Sequence, residues 1–122
     1  MLNILHSKKG FTLVELIVVV IIVGILASVA IPMMSGNVNK AKKSEAMAGL
    51  GSIRTAARMY YAENSVWPTA FGNLASYINA VDLNGTYYLG SAYSISGTTA
   101  KAANAPLGDV NIDIVSGAVT GY

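Results

Sequence analysis

The sequence predicts an α+β protein in which one long N-terminal α-helix carries a small antiparallel β-sheet. Three observations predict it. Leu16–Met34 is a run of 19 residues without a charge, and a bilayer core of about 30 Å needs roughly 20 apolar helical residues. Beyond that run, Ala46, Leu50, Ile53, Ala57 and Tyr60 recur at spacings of four, three, four and three, the stripe of an amphipathic helix. Beyond Asn64 the chain turns to Gly, Ser, Thr, Asn and Tyr, with short alternating segments between turn residues.

Composition points the same way. Of the 122 residues, 53% are hydrophobic and 11% charged, whereas a soluble domain carries about 25% charged residues. This is a membrane segment joined to a small polar domain. There is no Cys, which excludes a disulfide framework and a thiolate metal site. The one His, His6, lies too near the start to serve a catalytic dyad in the body of the protein. The formal charge of +2 comes from Lys8 and Lys9; residues 11–122 hold six basic and six acidic side chains and are neutral. Nucleic-acid affinity rests largely on phosphate neutralisation, so no nucleic-acid partner is expected. The short Lys40–Lys43 cluster reads as a solvated or membrane-flanking patch.

At the N-terminus, a basic pair and a Gly precede the apolar run. An ordinary secretory signal would place its small-residue cleavage site after that run, and Ala27-Ser28-Val29-Ala30 offers one. The other end carries a sharper signal: Lys8-Lys9-Gly10-Phe11-Thr12-Leu13-Val14-Glu15-Leu16. This segment resembles the processing site of type IV pilins and type II secretion pseudopilins, strongly over residues 8–35, moderately to residue 64 and weakly beyond. The resemblance implies a cleaved leader at 1–10, a transmembrane and polymerisation helix at 11–36, and a globular domain at 37–122 that includes the second half of the long helix. It implies cutting between Gly10 and Phe11 by a prepilin peptidase that also methylates the new N-terminus. It matches Glu15 to the family's acidic assembly residue, and Gly24 and Pro32 to its helix-weakening positions.

The residues support this independently. An acid within a membrane helix is costly and usually functional, although an acid near a helix start is also favoured by the helix dipole. The resemblance implies that Glu15 pairs with the amine of a neighbour's Phe11, which would relieve the cost of an unpaired buried charge. Lys8 and Lys9 favour the cytoplasmic side, which places residues 35–122 outside the cell. Pro32 lacks an N–H, leaving the Ser28 carbonyl without its helical donor, and Gly24 lowers helix propensity. The resemblance implies that this stretch loses helical hydrogen bonds in a fibre, so Gly24–Pro32 is expected to be helical in the monomer and partly melted in a filament.

One helix should run from about 11 to 64, about 80 Å at 1.5 Å per residue, and end before Trp67-Pro68. Lys42, Glu45, Gly49, Ser52 and Thr55 lie largely off its apolar stripe. Gly49 and Gly51 read as a gentle bend or close backbone packing. The first half is hydrophobic all round and belongs in lipid or among other helices, so the protein needs copies of itself.

Farther on, Phe71, Leu74, Tyr77 and Ile78 suggest a short helix starting at Thr69 or Ala70. Asp82-Leu83-Asn84-Gly85 is a turn. Thr86–Leu89, Ala92–Ser96 and Val110–Val115 read as strands, and Ser116-Gly117 turns the last into Ala118–Tyr122 as a terminal hairpin. Three or four such strands could pack on the helical stripe.

Asp109, Asn111 and Asp113 alternate, which reads as an exposed polar face. Oxygen clusters can also bind calcium, and the resemblance implies a C-terminal calcium site in major pseudopilins. The seven Tyr residues read as packing and interface residues rather than a conduction path. No nucleophile–base pair, phosphate loop or cofactor motif is present, so no enzymatic activity and no cofactor are expected.

The leading expectation is thus a major pilin-like subunit, forming a helical homopolymer in an extracellular type IV pilus. The alternative is a type II secretion major pseudopilin forming a periplasmic piston. Implied partners are the prepilin peptidase, an inner-membrane assembly platform with its assembly ATPase, and membrane lipid before assembly. The implied location is the inner membrane, N-terminus cytoplasmic, and then a pilus or periplasmic fibre.

Overall fold

The computed structural model describes residues 10–122, so Lys8, Lys9 and the rest of the expected leader before Gly10 lie outside the described residues. Helix α1 spans Leu13–Asn64 with Pro32 inside it. Short 3-10 turns follow at Phe71–Leu74, Ala80–Leu83 and Gly90–Ala92. The strands are β1 (Tyr93–Ser96), β2 (Thr99–Ala102), β3 (Val110–Asp113) and β4 (Val119–Thr120). They form one antiparallel sheet in the order β1-β2-β3-β4. The architecture is the expected α+β one, a long N-terminal helix and a four-stranded sheet. The chain divides after Gly36 into two compact units, and α1 contributes residues to both.

The second unit is built on the predicted stripe. Ala46, Leu50, Ile53 and Ala57 are buried, and Tyr60 packs against them. On the sheet, pleating sends alternate residues inward: Tyr93 and Ile95 of β1, Ala100 and Ala102 of β2, Val110 and Ile112 of β3. The register sets Ile95 opposite Ala100 and Ala100 opposite Ile112, so a small residue lies between two large ones. Polar side chains of α1 reach the chain's last segment. Arg54 Nε donates to the Ile114 carbonyl at 3.0 Å, and Lys43 Nζ to the Gly121 carbonyl at 2.7 Å. These bonds satisfy carbonyls that have no ladder partner.

The helix stops where expected. Ser65 adopts φ 58°, the left-handed conformation at which helices end, and Pro68 follows shortly.

Four expectations are corrected. Gly49 is buried, not off the stripe: the Tyr93 ring lies against it so closely that a Cβ at 49 would overlap the phenol. Close packing, one of the two readings of this glycine, is the observed one, and Gly51 is exposed. The short helix at 71–78 contracts to the 3-10 turn Phe71–Leu74, with the Asn73 side chain accepting from the Ala70 N–H at 2.9 Å. Thr86–Leu89 is not a strand, because the N–H groups of Thr86, Tyr87 and Tyr88 all donate to the Glu45 carboxylate. Finally, β2 is a strand the sequence reading did not contain.

Candidate functional site

Gly10 and Phe11 precede α1, and Phe11 is 89% exposed. A Cβ placed on Gly10 meets nothing within 4 Å, so packing among the described residues does not require glycine here. Among the described residues, nothing covers the Gly10–Phe11 peptide.

Thr12 and Glu15 are bound to each other. Glu15 Oε2 accepts from the Thr12 N–H and from the Thr12 hydroxyl, both at 2.9 Å. The Glu15 N–H donates to Thr12 Oγ1 at 3.2 Å. With α1 starting at Leu13, this is a reciprocal capping box that satisfies orphan donors at the helix start. The Thr-x-x-Glu spacing that signals it stands plainly in the sequence, and the sequence reading passed over it. Both bonds from Thr12 go to one carboxylate oxygen. Among the described residues the only ion pair is Lys101–Asp109, so the Glu15 charge has no cationic partner there.

Downstream of Glu15, the apolar half of α1 is exposed on every face: Ile17 48%, Val20 65%, Ile25 62% and Ile31 68%. It is long and apolar enough to cross a membrane. The helix continues through Gly24 and Pro32, and the Ser28 hydroxyl donates to the Ile25 carbonyl at 2.7 Å. The structure thus places Gly10, Phe11 and Glu15 together at the start of α1 and Gly24 and Pro32 farther along the same helix.

Asp109 and Asp113 of the second unit are engaged internally. Asp109 pairs with Lys101 at 2.6 Å, and this bond holds its carboxyl below the usual carboxylate range. Asp113 accepts from the Ser116 N–H and hydroxyl at 2.6 and 2.8 Å, which lowers its carboxyl too. These two acids stabilise the sheet and its last turn rather than converging. Among the described residues, no group of three or more His, Cys, Asp or Glu is placed to hold a metal. Three of the Tyr residues pack against other rings: Tyr60 meets Tyr77 edge-on at 6.4 Å, and Tyr61 stacks on Trp67 at 4.4 Å.

A family model described as the prokaryotic N-terminal methylation motif matches residues 5–31, the stretch containing Gly10, Phe11, Glu15 and Gly24. Type II secretion system core protein G of Escherichia coli (strain K12) is 38% identical over 77 residues, 63% of this chain and 53% of that protein. The chain belongs to the type IV pilin and type II secretion pseudopilin family. Core protein G of Klebsiella michiganensis is 36% identical over 90 residues, 72% of this chain and 63% of the relative. Fimbrial protein EcpC of Eikenella corrodens is 40% identical over 91 residues, 75% and 58% of the two chains. The chain thus matches between about half and two thirds of the length of these relatives. The names of these relatives are those of secretion-system and fimbrial proteins.

Proposed function

We propose that the chain is a type II secretion pseudopilin, processed between Gly10 and Phe11 and polymerised through the apolar half of α1 into a periplasmic fibre. The observation that carries polymerisation is the all-round exposure of that half, with Glu15 at its head. A helix apolar on every face is stable only in lipid or among other helices. Lipid holds the subunit before assembly, with the Lys8-Lys9 end on the cytoplasmic side. The prepilin peptidase then releases an amine at Phe11 and methylates it. In the fibre, that amine approaches the Glu15 of a neighbouring subunit, and each charge compensates the other where neither has water. Gly24 and Pro32 weaken the helix between them, which allows Gly24–Pro32 to stretch as subunits pack. An assembly platform and its ATPase in the inner membrane extract each subunit.

Relatives named core protein G support secretion over the surface pilus that the sequence alone put first. The fimbrial relative supports the pilus as the second reading. Deleting the gene in its host separates the two. The secretion reading predicts that secreted enzymes accumulate in the periplasm while surface fibres persist. Loss of surface fibres with normal secretion would favour the pilus and overturn it.

A further inference from the structure

Residues 84–89 form a surface loop between two 3-10 turns, and its backbone is curled around a carboxylate. Glu45 Oε1 accepts from the N–H groups of Tyr87 at 2.8 Å and Tyr88 at 2.7 Å, and Oε2 from Thr86 at 2.9 Å. Successive N–H groups of a strand point to opposite edges, so three in a row can meet one acceptor only when the backbone is concave. The arrangement is an anion nest, with charge-assisted bonds. Gly85 permits the approach, since a Cβ there would overlap the Glu45 carboxyl.

The loop is also held by bonds that do not involve Glu45. The Gly85 N–H donates to the Tyr88 carbonyl at 2.9 Å, and Asn104 Nδ2 to the Tyr87 carbonyl at 2.6 Å. The Tyr88 hydroxyl donates to the Gly108 carbonyl at 3.0 Å, and Asn84 Oδ1 accepts from the Gly90 N–H at 2.7 Å. The Lys42 ammonium sits 5.2 Å from the centre of the Tyr87 ring, adding positive charge beside the nest. A cavity of about 230 Å³ adjoins it, lined by Glu45, Gly49, Asp82, Gly85 and Tyr93 among others.

We propose that residues 85–88 are a carboxylate-binding site whose resident ligand is the chain's own Glu45, and that a small free carboxylate occupies it once the Glu45 side chain is removed. The four supporting bonds keep the nest in shape without its ligand, and the cavity gives formate or acetate a route in. The resident carboxylate latches to α1 the loop that displays Tyr87 and Leu89, 42% and 58% exposed, so a helix charge shapes this patch of the subunit's apolar surface.

The test uses the full chain, isotope-labelled in detergent micelles, with amide exchange read at Thr86, Tyr87 and Tyr88. In Glu45→Ala these amides should exchange about 10-fold faster or more, the scale of losing a bond to a charged group. Sodium formate should restore protection along a saturable curve, sodium chloride at equal ionic strength should not, and wild type should respond to neither. Unchanged protection in Glu45→Ala, or a formate response no larger than that to chloride, would overturn the proposal. If Glu45→Ala does not fold, Glu45→Gln decides. Its single carbonyl oxygen can serve Tyr87 and Tyr88, while its NH₂ faces the Thr86 N–H, so Thr86 alone should lose protection. Equal protection at all three amides would then overturn the proposal.

Discussion

The two halves of α1 share one helical backbone but are maintained by different surroundings. From Leu13 to Gly36 every described residue but Ala27 is exposed, and the sequence is apolar on all faces. From Asn37 to Asn64 the apolar residues form a stripe, and Ala46, Leu50, Ile53 and Ala57 meet a sheet that leaves them at most 1% exposed. In the second half, hydrophobicity is spent within the chain. In the first it is unspent, and a partner outside the chain must cover it. The polar groups divide likewise: Glu45 and Arg54 bond to backbone of the same unit, whereas Glu15 bonds only to Thr12 and keeps a charge without a cationic partner among the described residues.

This contrast can be broken at several points. The largest effect is expected at the junction. Gly10→Val should block cleavage entirely, leaving precursor in the membrane and no fibre on a shear-and-immunoblot assay. Because nothing packs on Gly10 among the described residues, the loss is assigned to the scissile bond and not to folding. Processed fibre from this variant would contradict the account.

Glu15 comes next. Glu15→Val should leave insertion and cleavage intact but abolish fibre, measured as processed membrane protein against sheared fibre. Glu15→Gln sharpens the point, because it keeps hydrogen-bond acceptance for the Thr12 capping box while removing the charge. Fibre should be lost in both variants. Normal fibre from Glu15→Gln would make the residue a cap and nothing more.

A third pair of substitutions tests the halves against each other. Ile53→Ala should destabilise the second unit by about 2–5 kcal/mol through the cavity it leaves. Ile21→Ala should change the same transition by less than about 0.5 kcal/mol, since the residue is 56% exposed. Both are read by denaturant unfolding of the full chain in micelles, followed by the fluorescence of Trp67.

The smallest effect is the response to acid. Desolvation pushes the Glu45 carboxyl up, but backbone bonds from Tyr88, Tyr87 and Thr86 outweigh it and hold the carboxyl below its ordinary value. Asp109 and Asp113 are also lowered, by Lys101 and Ser116. Their unfolded forms bind protons more readily, so these groups stabilise the fold fully above the ordinary carboxyl range. The contribution fades as pH falls through the lowered folded values. Unfolding midpoints should therefore drop below about pH 4, with a shallower drop in Glu45→Gln. An equal slope in that variant would contradict the assignment to Glu45.

What the sequence made legible follows the range of the interactions. The bounds of α1 and its stripe depend on local period, and both were readable from Ala46 through Tyr60. The last hairpin was readable from Ser116-Gly117. Gly49 was misread because a glycine carries no hydrophobic signal, although its lack of a side chain is what Tyr93 packs against. The segment Thr86–Leu89 has strand-forming residues, but its N–H groups are taken by Glu45, about forty positions earlier. No local pattern encodes that. Strand β2 reads Thr-Ala-Lys-Ala, and Ala and Lys have low strand propensity; the strand exists because neighbours pair on both edges. At the start of α1, Gly10, Phe11 and Glu15 stand out in the sequence, and the observed Thr12–Glu15 box was readable there too.

The central claim is that the apolar half of α1 is kept as the assembly element and not discarded as a signal. Mass spectrometry of the subunit's N-terminus, taken from fibre or membrane of the native host, tests this most directly. The account predicts a chain beginning at Phe11 with a methylated amine and retaining residues 11–36. A chain beginning after Ala30, with the apolar run gone, would contradict it.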